Sequence, residues 1–241
     1  MFKKNKITES MDMKPKTNTI IINQGWSHAG NIGNIPNKIY RFFDNENFAN
    51  DFVKGNMRIS TLGVCRANEN KAQGDSKEGT MTYHINYISS EEKNSEQILK
   101  RAGYRMKGCV DCYVIDSFGE QEQKDSYILC TTMKFNPEDF KQDFGSYCIE
   151  ITNPKKLMEI ITRTLHKTKG ITMCNYGRVV YKNRLTFQNE CLEVPIELIK
   201  PDTDIYKMQN EFRFTWYTAE SNISPIDIKC GDISDICKRI K

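Results

Sequence analysis

The sequence predicts a single α+β domain. About nine short runs either alternate apolar and polar residues or concentrate β-branched and aromatic ones, which is the pattern of strands. Roughly two or three stretches carry helix caps and helical apolar spacing instead. Neither a repeat nor a low-complexity tract interrupts the series. The 241 residues, 38% of them hydrophobic, suffice for one large domain or two small ones. Strands and helices mixed along the chain favour one α+β core.

Residues 1–36 are rich in Lys, Asn and Thr, with one apolar run at Ile20-Ile21-Ile22 and a loop ending at Pro36. They read as a flexible leader, with the ordered domain over 37–241. Lys38–Phe43 reads as a strand, followed by a helix capped by Asp44 or Asn45 and buried through Phe48, Phe52 and Val53. Gly55 is placed to end that helix in the left-handed conformation. Strands are then expected at Met57–Thr61 and along Met81, Tyr83, Ile85 and Tyr87, separated by a polar loop over 66–79. The charged stretch 91–107 suits a short helix or an excursion. Val110–Phe118 and Tyr127–Phe135 suit strands on either side of a polar turn, and Ser146–Ile151 suits another. Asn153 caps and Pro154 opens a helix with a Leu157, Ile160, Ile161, Leu165 stripe. Ile171–Cys174 and Arg178–Tyr181 read as strands flanking Asn175-Tyr176-Gly177. Pro225–Lys229 reads as a last strand and Ile233–Ile240 as a terminal helix.

Charge is mild: 35 Lys and Arg against 31 Asp and Glu give +4. That balance permits a nucleic-acid or acidic partner without demanding one. The basic clusters at Lys3, Lys4, Lys6 and at Lys238, Arg239, Lys241 read as solubilising. No apolar stretch resembles a signal peptide or approaches the ~18 residues of a membrane span. Nine cysteines, an odd number and several in apolar runs, suit small buried hydrophobes. The expectation is a cytoplasmic chain with reduced thiols and no membrane contact, with secretion by a leaderless route as the alternative.

The stretch Met208–Tyr217 carries the most chemistry. As a strand it places Met208, Asn210, Phe212, Phe214 and Trp216 on one face and Gln209, Glu211, Arg213, Thr215 and Tyr217 on the other. The second row is either a functional surface or the wet face of a half-buried strand. Cys109-Val110-Asp111-Cys112 is a lone CxxC at a strand start, without the second ligand pair of a zinc site or the helix N-terminus of a redox motif. Buried strand cysteines are the simpler reading. No metal is expected. The three histidines, His28, His84 and His166, give no specific pairing with a nucleophile. Gly-rich loops of the P-loop or dinucleotide type are absent. Arg66, Glu69, Asp75, Glu78 and Gly79 form a charged loop, read as a solvated turn in preference to an ordering Arg–carboxylate cluster.

Three elements in order, Ile39-Tyr40-Arg41-Phe42, Ile128-Leu129-Cys130-Thr131-Thr132 and Gln209-Asn210-Glu211, resemble the arginine, Ser-Thr-Ser and Gln-x-Glu pattern of mono-ADP-ribosyltransferases. The Gln-x-Glu form looks most like the Rho-modifying bacterial exoenzymes. The opening strand–helix–strand unit is also similar to the start of the DNA-modifying and tRNA-phosphotransferase branches. The chain further resembles a bacterial family of unassigned function with an Asp-x-x-Glu-Gly loop and a Gln-x-Glu-Phe-Arg strand. Cys130-Thr131-Thr132 departs from Ser-Thr-Ser.

The resemblance, over residues 38 to 217, implies a split, mostly antiparallel β-sandwich with flanking helices. It implies NAD as substrate, and ADP-ribosyl transfer or NAD hydrolysis by a toxin-like or phage-conflict protein, with an unspecified protein or nucleic-acid acceptor. Glu211 would stabilise positive charge on the ribose and bond its 2′-hydroxyl. Gln209 would position the acceptor, and Arg41 would grip the pyrophosphate. Thr131 and Thr132 would hold Glu211 and the ribose, and Arg213 would fix the Glu211 rotamer or lower its pKa. The alternative for Arg41 is pairing with a core carboxylate. Two further readings stand beside these: a non-catalytic domain binding nucleic acid or protein, suggested by Trp26 and Tyr217, and a fold whose Glu211 only forms an ion pair with Arg41 or Arg213.

Overall fold

A computed structural model describes residues 35–70, 72–105, 108–188, 190 and 194–241, and the backbone of 19–22 and 26–29. In chain order the elements are β1 (Thr19–Ile22), β2 (Trp26–Ala29), β3 (Ile39–Phe43), α1 (Glu46–Val53), β4 (Asn56–Thr61), α2 (Leu62–Ala67), β5 (Thr80–Ser89) and α3 (Ser95–Arg101). There follow β6 (Tyr113–Glu122), β7 (Tyr127–Thr132), α4 (Pro137–Phe144), β8 (Tyr147–Ile151), α5 (Pro154–Lys169), β9 (Ile171–Arg178), β10 (Val180–Tyr181) and β11 (Leu185–Phe187). A 3-10 turn at Ile196–Leu198 leads into β12 (Ile199–Lys200), α6 (Asp204–Lys207), β13 (Glu211–Thr218), β14 (Ile226–Lys229) and β15 (Cys237–Arg239). The chain is α+β with mostly antiparallel sheets. Most of the leader lies outside the described residues, but its Thr19–Ile22 pairs with β9 and with Trp26–Ala29.

The large sheet runs β15-β8-β3-β7-β13-β9-β1-β2, with β4 joined to β7 and β14 to β4. One face is covered by α1 and α5. The α5 caps follow from sequence: the Asn153 side chain accepts from Lys156 N–H, Pro154 opens the helix, and Gly170 closes it in the left-handed conformation. Its Leu157, Met158, Ile161 and Leu165 pack with Phe212, Phe214 and Trp216. Trp216 Nε1 donates to Thr162 Oγ1 at 2.8 Å, so the indole reaches a partner inside the core. A separate smaller sheet, β11-β5-β6, has its own core, which includes Met81, Tyr83, Ile85, Ile88 and Leu99. The 3-10 turn touches both β5 and β9 and joins the layers.

Gly55 has φ +79, and a Cβ there would collide with the carbonyl of Gly231. Gly55→Ala is therefore expected to lower stability by about 1–3 kcal/mol, read from the urea midpoint. An unchanged midpoint would contradict the close approach.

Several elements differ from the sequence reading, each for a physical reason. Phe48 is 60% exposed because Ala49 and Phe52, not Phe48, face the sheet. The buried side of β5 passes from Ile85 to Ile88, leaving Tyr87 half exposed. The polar turn after Phe118 is instead a continuation of β6 to Glu122. Asn175-Tyr176-Gly177 is not a turn; it lies inside the continuous β9, where Asn175 finds a buried partner in Glu197. The Ile233–Ile240 segment is no helix. Its Ile233, Ile236 and Cys237 mimic helical spacing, yet 237–239 pair with β8 and cover that edge. Helix α4 went unread, although Asn136-Pro137 caps it as Asn153-Pro154 caps α5.

Among the described residues, no helix is long and apolar enough to cross a membrane. Cys109 is exposed and Cys112 half-buried on the approach to β6, so this pair is not the buried strand pair expected.

Candidate functional site

The edge of β7 is shared. β3 meets it at one end (Tyr40 opposite Thr132), and β4 meets it at the other (Ser60 opposite Ile128). Between them the sheet parts. A cleft of about 1050 Å³ opens there, lined among others by Arg41, Thr131, Thr132, Gln209, Glu211 and Arg213. All six residues singled out in the sequence therefore line one cavity, although they come from three separate stretches.

Arg41 reaches into the gap. Its Nη1 donates to the Cys130 carbonyl at 2.6 Å, its guanidinium lies 5.4 Å from the Phe43 ring centroid, and its Nε is enclosed with no hydrogen-bond partner among the described residues. Burial lowers its pKa, opposed only by the Cys130 and Cys65 thiols; no carboxylate contributes. The core carboxylate that Arg41 was expected to meet as an alternative is not there among the described residues.

The polar row of β13 is not wet. The strand is buried on both faces: Glu211 is 5% exposed, Arg213 1% and Thr215 0%. Tyr217, expected at the surface, is 7% exposed and its hydroxyl donates to the Glu197 carboxylate. Alternation can report which side chains share a face; it cannot report a second layer laid over that face. Here the turn before β5 and the 3-10 turn supply that layer, and both bring carboxylates.

Arg213 stands between two of them. Nη1 and Nη2 donate to Glu78 at 2.7 and 3.0 Å, Nε and Nη2 to Glu211 at 2.8 and 3.2 Å, and Nη1 also to the Glu197 carbonyl at 2.7 Å. All five N–H groups are thus engaged. Lys200 Nζ, 3.2 Å from Glu211 Oε2, completes a set of two carboxylates and two cations. Glu78 and Arg213 are the last charged residues of the Asp-x-x-Glu-Gly and Gln-x-Glu-Phe-Arg motifs, so the two motifs meet inside the protein. Asp75 of the same loop is paired with Arg184, and Arg66 donates to the Glu78 and Gln123 carbonyls. The charged loop is therefore the ordering Arg–carboxylate cluster and not a solvated turn.

Burial works to raise the Glu211 carboxyl, but Arg213 and Lys200 outweigh it and hold the pKa down to about 2. The folded value lies below the ordinary one of 4.5, so the unfolded chain takes up the proton first as pH falls. This carboxylate therefore stabilises the fold in full above about pH 4.5, by about 3 kcal/mol, and the contribution fades toward pH 2. Glu211→Gln should accordingly be much less stable than wild type at pH 7 and nearly equal to it only near pH 2. Parallel stability curves across that window would contradict the pairing.

The remaining predicted residues act on the backbone and on the loop. Thr131 Oγ1 donates to the Phe212 carbonyl at 2.7 Å and Thr132 Oγ1 to the Gln209 carbonyl at 2.6 Å, so both clamp the chain around Glu211. Asn210 has φ +42, which lifts Gln209 out of the strand. The Gln209 side-chain amide donates to the Ala72 and Ile205 carbonyls and accepts from Lys200, leaving it committed to the protein.

Glu78, Lys200, Glu197 and Tyr181, whose hydroxyl accepts from Glu211 N–H at 2.9 Å, were not read from sequence as parts of this site. Glu78 alone carried a signal, an acidic residue in a loop too charged for its apolar flanks.

Comparison with family models, with curated proteins and with solved structures gives no match.

Proposed function

We propose that the cleft binds NAD and that the chain cleaves its nicotinamide–ribose bond, passing ADP-ribose to a macromolecular acceptor or to water. The observation that supports this is the convergence of Arg41, Thr131, Thr132, Gln209, Glu211 and Arg213 on one cavity. Its volume matches the upper end of the ~300–1,000 Å³ typical of small-molecule and cofactor sites. Arg41 lines the cleft with no carboxylate acting on its guanidinium, which suits an anionic ligand such as the pyrophosphate. In the reaction the departing nicotinamide keeps the electron pair of the broken bond. The acceptor bonds the same ribose carbon and gives up a proton. Positive charge rises on the ribose between these events, and the ionised Glu211 carboxylate lies in the cleft wall to stabilise it. The Thr131 and Thr132 clamps fix the backbone that carries it.

Arg41→Ala is expected to weaken NAD binding about 10- to 100-fold, the range of a charge-assisted hydrogen bond, measured by calorimetry. Equal affinity would remove Arg41 from the pyrophosphate role, and absence of NAD binding by the wild-type protein would remove the reading itself.

One observation favours a second reading. The charge of Glu211 is already matched by Arg213 and Lys200, which is the arrangement of a structural ion cluster in a non-catalytic domain. The comparison of Glu211 with Glu78 below separates the two.

A further inference from the structure

Two half-buried cysteines line the cleft beside the ion cluster. Cys65 comes from α2 and Cys130 from the middle of β7, between the stretches where β3 and β4 pair with it. Register places Cys130 directly opposite Arg213. Both thiols line the same cleft, near enough that each perturbs the ionisation of the other; Cys130 also acts on Glu211, and both act on the Arg41 guanidinium. The pair therefore sits between the cation that faces an anionic ligand and the carboxylate proposed to act on the ribose. The other buried thiols, Cys148, Cys174 and Cys237, are not among the residues that line this cavity.

We propose that Cys65 and Cys130 are a hydroperoxide-sensitive dithiol that closes reversibly to a disulfide and so controls the cleft. The two positions are unequal. The neighbouring Cys130 lowers the Cys65 thiol, burial opposes this, and the Arg213 guanidinium lowers it further. The Cys130 thiol is pushed well up by Cys65, by burial and by Glu211. This is the division of labour that peroxide chemistry uses: one thiolate to attack, one protonated thiol to resolve. The Cys65 thiolate attacks a peroxide oxygen, the O–O bond breaks, and a sulfenic acid forms with release of water (or of an alcohol from an organic hydroperoxide). The Cys130 sulfur then displaces hydroxide from that sulfenic sulfur, its proton leaving with the oxygen as water. Two thiols lose two electrons in all, and one peroxide gains them.

Closure would draw the Cys130 sulfur away from Glu211 and tie α2 to β7 across the parting of the sheet. As chemistry this inference is independent of the ligand. As control of NAD turnover it rests on the reading above.

The test uses the full chain carrying Cys109→Ser and Cys112→Ser, which removes the other pair of neighbouring thiols. Treatment with hydrogen peroxide should remove two titratable thiols, yield a Cys65–Cys130 linked peptide in mass spectrometry, and reverse with dithiothreitol. Adding Cys65→Ser should abolish the linked peptide. Absence of that peptide, or its appearance only in denaturant, overturns the dithiol. NAD affinity of the same oxidised sample should fall at least tenfold and recover on reduction. A mapped disulfide with unchanged affinity overturns the control but not the chemistry. A mapped disulfide in a protein that never binds NAD indicts the NAD reading instead.

Discussion

Replacing Arg213 by Met is expected to lower the unfolding free energy by about 3–5 kcal/mol. The guanidinium is 1% exposed and serves Glu78, itself 0% exposed, and Glu211 at once. Its loss leaves two enclosed carboxylates with only Lys200, on one side of Glu211, to answer them. Charges removed from water without partners cost several kcal/mol each, and that cost sets the size of the effect. Urea unfolding followed by circular dichroism measures it. A loss below about 1 kcal/mol would show that water reaches the cluster and that the second layer does not seal it. Removal of the whole cluster in favour of well-packed apolar residues should cost much less, because no charge would be left alone.

The second large effect concerns chemistry. Glu211→Gln keeps the shape of the side chain but removes its charge, and nicotinamide release should fall at least ~100-fold. The substitution also weakens the ion cluster, so the rate must be read where both proteins remain folded. Glu78→Gln supplies the control. It removes a carboxylate from the same Arg213, yet Glu78 does not line the cleft. A purely structural role for Glu211 makes the two variants behave alike. A catalytic role makes only Glu211→Gln lose turnover while NAD affinity persists, so that kcat falls and KM does not rise.

Local signals carried much of the fold. Asn45 and Asn153 with Pro154 mark helix starts because a short polar side chain can accept the first free N–H groups. Gly55 marks an end because a left-handed residue is needed there. Phe212, Phe214 and Trp216 report a buried face through period 2 alone. What sequence could not convey is non-local. Whether the Glu211–Arg213 row is wet depends on the turn holding Glu78 and on Lys200. The cleft depends on β3 and β4 sharing one edge of β7, which no local window contains. The terminal segment shows the opposite hazard: spacing at Ile233, Ile236 and Cys237 suits a helix, and pairing with β8 overrides it.

The most direct test incubates the purified protein with isotope-labelled NAD, alone and with a cell lysate, and follows free nicotinamide and labelled macromolecules. The account predicts nicotinamide release by wild type and by Glu78→Gln, its loss in Glu211→Gln, and label on the acceptor or on free ADP-ribose. Release that is equal in wild type and Glu211→Gln, or no release by a wild-type protein shown to be folded, would contradict it.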